Sequence, residues 1–118
     1  MKTKYIITTI IVLFISSWSF GQESNKKTEN VAFKVSGLCG MCKERIENAA
    51  LIKGVKFADW NKETEIITLV YNPQKVNIDA IHQSIATAGH DTDKIKADDK
   101  DYKELPRCCA YRDSNNKH

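Results

Sequence analysis

Apolar residues alternate with polar ones along the start of the folded part of this chain. Val31, Phe33 and Val35 interleave with Ala32, Lys34 and Ser36, a period-two pattern that predicts a strand. Gly37 breaks it, and Leu38-Cys39-Gly40-Met41-Cys42 follows as a loop. From about Cys42 to Ile52 the composition turns helical, with Ile46, Ala49 and Ala50 spaced for one buried face. Gly54 stands where a helix-terminating glycine is expected. Val55, Phe57 and Asp59 then alternate with Lys56, Ala58 and Trp60 as a second strand. Residues 61–64 (NKET) make a polar turn, and 65–71 (EIITLVY) a third strand that pairs with the second as a hairpin. Asn72-Pro73 ends it. Asn77 caps a second helix, whose Ile78, Ile81, Ile85 and Ala88 form a stripe closed by Gly89. A weaker fourth strand is expected over 92–97.

The predicted order is strand, helix, strand, strand, helix, strand. That order specifies an α+β fold of the ferredoxin-like β-α-β-β-α-β type, an open-faced antiparallel sheet with both helices on one side. No internal repeat is visible. Beyond Ala97 the chain is highly charged (DDKDYKE) and ends in Leu105-Pro106-Arg107-Cys108-Cys109-Ala110-Tyr111-Arg112 and a polar terminus, which reads as an irregular tail over 98–118.

The first 21 residues follow a different pattern. Lys2 and Lys4 precede an apolar run from Ile6 to Phe14, and Ser19-Phe20-Gly21 places small residues at the −3 and −1 positions of a cleavage site. This predicts a cleavable secretory signal peptide over 1–21, since the run is short for a membrane-spanning helix. The chain is therefore expected in the periplasm or outside the cell, with no membrane attachment after cleavage. Residues 22–30 (QESNKKTEN) read as a flexible lead-in, and 31–97 as one domain.

Removing Lys2 and Lys4 from the net charge of +3 leaves +1, a mixed surface with no electrostatic footprint for nucleic acid or anionic membrane. All 4 cysteines, Cys39, Cys42, Cys108 and Cys109, lie past the signal segment. In an exported chain an even count makes disulfides the default expectation.

Cys39 and Cys42 fall between the first strand and the first helix, with Cys42 at the helix start. Their spacing lets both sulfurs face one point, and a helix N-terminus favours thiolate over thiol. Lys43 and Arg45 are expected to add to that field, and Gly40 to free the loop backbone. Two thiolates without harder ligands suit Cu(I), Hg(II) or similar soft ions better than Ca or Mg. A redox-active dithiol and a structural disulfide remain open on spacing alone.

The surroundings of the pair carry more information. Val35-x-Gly37-x-Cys39-x-x-Cys42, Ile46-Glu47, Gly54-Val55, Tyr71-Asn72-Pro73 and Ile85-x-x-Ala88-Gly89 together resemble the heavy-metal-associated domain family over residues 31–97. The resemblance implies that Cys39 and Cys42 bind copper(I), mercury(II) or another thiophilic ion such as zinc or cadmium. It further implies that the ion passes by ligand exchange to a membrane metal transporter or another metallochaperone. The family commonly reads Gly-Met-Thr-Cys-x-x-Cys. Here Gly37-Leu38-Cys39 is one residue shorter, with Leu38 as the apolar anchor, and the first helix is about one residue shorter before Gly54.

Further candidate ligands are His90, Cys108 and Cys109. His90 follows the second helix, where the family carries Tyr, Phe or Lys beside the metal loop, so an imidazole there could supply a third ligand. The rival role for His90 is a surface loop residue; His82 is expected as a solvated flank and His118 as a frayed terminus. Cys108 and Cys109, being adjacent, bridge each other only with strain. They are expected to act outward, either by joining Cys39 and Cys42 or by cross-linking another cysteine. The tail itself resembles that of small exported metal-domain proteins ending in a cysteine pair. Trp60, Tyr71, Tyr102 and Tyr111 are expected as packing aromatics.

No catalytic constellation stands out, so a binding protein rather than an enzyme is expected. The alternative is a thiol–disulfide oxidoreductase or a disulfide-stabilised interaction module using the same cysteines. The oxidoreductase fits less well, because a thioredoxin-type site has Trp before the first Cys and commonly Pro between the two, and this loop has neither.

Overall fold

The structure, a computed structural model, describes residues 27–113. The signal segment 1–21, most of the lead-in and His118 lie outside the described residues. Strand β1 (Glu29–Lys34) leads through a short loop into helix α1 (Gly40–Ala50). Strands β2 (Val55–Trp60) and β3 (Ile66–Tyr71) form the hairpin, and α2 (Ile78–Thr87) follows. Helix α3 (Asp99–Lys103) and a 3-10 turn (Arg107–Cys109) are the last elements of the described residues.

The sheet is antiparallel in the order β1-β3-β2. Phe33, Val35, Trp60, Ile67, Leu69 and Tyr71 are buried on the face that meets the helices, while Ala32, Lys34 and Thr68 on the other face are exposed. That one-sided burial is the open-faced ferredoxin-like arrangement expected from the chain's periodicity. Cys42, Ile46 and Ala50, at four-residue spacing, are the stripe by which α1 enters the core. Asn77 caps α2, its side chain accepting from the Asp79 N–H at 2.7 Å. The Ser84 hydroxyl donates to the Ala49 carbonyl at 2.6 Å and ties the two helices together.

Within residues 31–97 the structure departs from the expected pattern at three places. A bulge lies between Val55 and Phe57, so alternation fails across it. Ala58 and Trp60 turn inward while Phe57 is left 49% exposed. The fourth strand is reduced to a single antiparallel bridge, Val35 to Thr92. The Thr92 hydroxyl accepts from the Lys94 and Ile95 N–H groups and its own N–H donates to the Ile95 carbonyl, turning the chain before a ladder can form. Third, His82 is not a solvated flank: it is 4% exposed, stacks on Phe33 at 3.9 Å and shares a 2.7 Å hydrogen bond between Nδ1 and the Thr92 hydroxyl.

The charged segment after Ala97 is ordered rather than irregular. It winds as α3 and returns so that the 3-10 turn packs on α1, with Cys109 fully buried in the core.

Candidate metal centre

Cys39 is the N-cap of α1, with extended backbone (φ −139°), and its carbonyl accepts from the Lys43 N–H at 3.0 Å. Cys42 lies one turn in. The two sulfurs are 3.7 Å apart at the positive end of the helix. Cys42 is fully buried as part of the α1 stripe, whereas Cys39 stays at the rim. Burial pushes the Cys39 thiol up, but the backbone N–H of Cys42, the Cys42 thiol and the backbone N–H of Met41 outweigh it and leave Cys39 below its ordinary value.

The loop lies against Trp60. A Cβ added at Gly37 would stand 2.9 Å from the Trp60 ring and 3.1 Å from Cys42 Cβ, so this position admits only glycine without displacement. Trp60 is itself fixed, its indole N–H donating to the Val35 carbonyl at 2.9 Å. Gly40, by contrast, is the first residue of α1, and a Cβ there would meet nothing within 4 Å. Gly40 is therefore part of the helix rather than of a freed loop backbone, and the position that requires glycine is Gly37. Leu38 packs partly buried against the core, as expected of an anchor.

Lys43 and Arg45 do not point their charge at the sulfurs. The Lys43 ammonium donates to Glu47 and Asp59, each at 2.7 Å, and to the Trp60 carbonyl at 2.8 Å. Arg45 donates to the Ala88 carbonyl at 3.3 Å. The field at the dithiol thus comes from the helix terminus and its N–H groups.

The return of the chain brings Cys108 and Cys109 to the same place. The sulfurs of Cys39, Cys108 and Cys109 all lie within 4.8 Å of one another. Those of Cys108 and Cys109 are 4.0 Å apart, and all four cysteines are free thiols. The Cys39 thiol also points to the Cys108 carbonyl at 3.7 Å, and the Cys108 thiol stands 3.6 Å from the Met41 sulfur. Burial, reinforced by the Cys42 thiol, pushes Cys109 well up, and burial with the Cys39 thiol raises Cys108. Deprotonation is thus favoured at Cys39 relative to an ordinary thiol and disfavoured at the two tail thiols.

His90 sits beneath this return, fully buried. Its Nδ1 donates to the Ser36 carbonyl at 2.8 Å, and its ring stacks on Tyr111 at 5.6 Å. That bond fixes the tautomer and leaves Nε2 buried without a hydrogen-bond partner. Among the described residues, His90 does not join the three-sulfur group at the same distance.

The tail is held by Tyr111, expected only as a packing aromatic, and by Arg112 and Asp91, which the sequence did not single out. The Tyr111 hydroxyl donates to the Gly89 carbonyl at 2.8 Å and accepts from the Asp91 N–H at 2.9 Å. Arg112 forks onto both Asp91 carboxylate oxygens at 2.7 and 3.3 Å, donates to the Ala97 carbonyl and lies 4.4 Å over the Tyr102 ring. Burial raises the Asp91 carboxyl, yet Arg112 and the Ala97 N–H hold it below its ordinary range. The only sequence signal for this clamp is the position of Tyr111-Arg112 just after the cysteine pair.

No family profile matches the chain, and no curated protein does. Solved structures do. A CopZ metallochaperone is 32% identical, with TM-score 0.52, over 54% of this chain and 98% of its own. The Cu(I)-loaded N-terminal domain of a potential copper-translocating P-type ATPase from Bacillus subtilis is 30% identical, with TM-score 0.52, over 55% of this chain and 84% of its own. Oxidised MerP from Ralstonia metallidurans CH34, 24% identical over 55% of this chain and 93% of its own, shares the fold with TM-score 0.52.

Proposed function

Because this chain belongs to the heavy-metal-associated domain family, of copper- and mercury-binding metallochaperones and transporter domains, we propose that it is an exported carrier or scavenger of soft metal ions. Cu(I) is the first choice of cargo, with Hg(II) next and Zn(II) or Cd(II) behind. The observation that carries this reading is the pair Cys39 and Cys42, 3.7 Å apart across the first turn of α1, with Cys39 already biased toward thiolate. A metal–thiolate bond of about 2.3 Å places two sulfurs on one ion roughly 3.8–4.6 Å apart, so the pair needs almost no rearrangement to close on an ion.

Each residue has a distinct part. Cys39, at the rim and with its own pKa lowered, meets the incoming ion first. Cys42, on the buried stripe, holds it against the core, where Gly37 and Trp60 keep water and bulk away from the far side. Each thiol that binds loses its proton to solvent, because the thiolate is the ligand. Release then proceeds by exchange, one metal–sulfur bond breaking as a thiolate of a transporter or another metallochaperone forms its own. The basic-apolar segment at 1–21 supports export, and in an oxidising compartment occupancy depends on keeping these thiols reduced.

Titration of the reduced protein with Cu(I), in competition with a chromophoric chelator, tests this. The Cys39→Ser/Cys42→Ser variant is expected to lose tight uptake; equal uptake by both proteins would overturn the assignment.

A further inference from the structure

Cys108 and Cys109 lie 66 to 70 residues from Cys39 and Cys42 in sequence, yet their sulfurs share one small volume with Cys39. We propose that the vicinal pair completes the metal site, so that the C-terminal return closes over the ion and turns a two-thiolate loop into an enclosed chelate of three or more thiolates. The proposal rests on the soft-metal reading above and adds the ligand set and the lid to it.

Three independent observations carry it. The first is distance. Sulfurs sharing an ion at about 2.3 Å stand roughly 3.8–4.6 Å apart. Cys39–Cys42 at 3.7 Å, Cys108–Cys109 at 4.0 Å, and the group of Cys39, Cys108 and Cys109 within 4.8 Å all approach that spacing. The second is anchoring. The return is fixed by groups that contain no sulfur, namely the Tyr111 hydroxyl between Gly89 and Asp91 and the Arg112 fork on Asp91. The ordering of the tail is therefore achieved before any ion arrives, which lowers the entropic cost of bringing distant ligands together. The third is the chemistry of the lining. Met41, half exposed in the loop, sets its thioether 3.6 Å from Cys108, so the opening is rimmed by soft donors. A cysteine pair meant for cross-linking a second molecule would stand in solvent. Here Cys109 is fully buried in the core.

The lid has a consequence for hand-over. Before a partner thiolate takes the ion, a bond to Cys108 or Cys109 must break as the partner's bond forms. The incoming thiol gives up its proton, the departing thiolate regains one, and the oxidation state of the ion is unchanged. The return thus occupies, from within the chain, the face of the loop that an external dithiol needs.

X-ray absorption of the protein loaded with sub-stoichiometric Cu(I), compared with its Cys108→Ser/Cys109→Ser variant, decides the matter. The wild-type protein is expected to place at least three sulfurs around copper and the variant two. Loss of the tail thiols is also expected to speed copper removal by an external chelator roughly tenfold or more, the gain that tethered ligands give. Two sulfurs in the wild type, or an unchanged number in the variant, would overturn the proposal while leaving the dithiol intact. Failure of the underlying reading has a different signature, unchanged uptake in the Cys39→Ser/Cys42→Ser variant. Because Cys109 is buried and its substitution can unsettle the fold, the sulfur count of the wild-type protein and the Cys108→Ser single variant are read alongside.

Discussion

Two single residues show how narrowly the site is built. Gly37 is pressed between Trp60 and Cys42, so Gly37→Ala forces a methyl group into a filled space. We expect it to destabilise the protein by about 1–3 kcal/mol, read as a lower urea midpoint, because overpacked cores respond by shifting backbone and rotamers. Gly40→Ala, with open space around its Cβ, is expected to fall within about 0.5 kcal/mol of wild type in the same assay. His82 has a different lesson. Burial against Phe33 lowers its pKa, partly offset by Asp93, with Lys94 and Asp79 also nearby, and burial likewise lowers that of His90. A depressed folded-state value means the unfolded chain binds the proton more tightly. The stabilisation is complete above the ordinary histidine value of about 6.5 and is lost as pH falls through the folded values. Urea midpoints are therefore expected to drop between neutral and mildly acidic pH, and the drop to shrink in His82→Gln. A flat profile in the wild type would show both rings to be indifferent to protonation.

The elements divide into those that announce themselves and those that do not. Strand β1, both helices and the hairpin each bury a face with its own period, and each stands within a residue or two of where that period puts it. The return from Asp99 to Arg112 has no such period. Its ties to the domain are made by Tyr111 and Arg112 to Gly89, Asp91 and Ala97, with the Arg112 N–H donating to the Tyr102 hydroxyl inside the return, and charge clusters of this kind read as solvent-facing. Tyr111→Phe removes the hydroxyl that satisfies the Gly89 carbonyl and leaves the Asp91 N–H unpartnered, an expected cost of about 1–3 kcal/mol. The more telling readout is local. Alkylation of Cys109 by a maleimide is expected to accelerate in Tyr111→Phe and in Arg112→Ala, because both loosen the return that buries it. If Cys109 reacts at the wild-type rate in both, the clamp is not what covers it.

For the whole molecule, the ion and the fold are coupled. A cargo that binds only the native state adds about 2.7 kcal/mol of stability at a free concentration one hundred times its dissociation constant. For a domain of this size that corresponds to a rise in melting temperature of roughly 10–20 °C. With the return among the ligands, the rise is expected to be accompanied by slower hydrogen exchange in α3 and the 3-10 turn as well as in α1. Protection confined to α1 would indicate that the ion touches only the first loop.

The sequence by itself determined the frame and the dithiol. Alternation and helical periodicity encode which face of each element is apolar, and Cys39 and Cys42, being three residues apart, are placed by local structure alone. Only the tertiary structure decided the rest. The bulge that turns Phe57 outward against β3 and the burial of His82 on Phe33 each depend on a neighbour distant in sequence, while the turn at Thr92 rests on local side-chain-to-backbone bonds that no periodicity announces. The same holds for the meeting of Cys108 and Cys109 with Cys39, which is set by Tyr111 and Arg112 gripping Gly89 and Asp91. Such contacts are single hydrogen bonds and ion pairs across the fold, and they leave no repeating pattern along the chain from which their partners could be read.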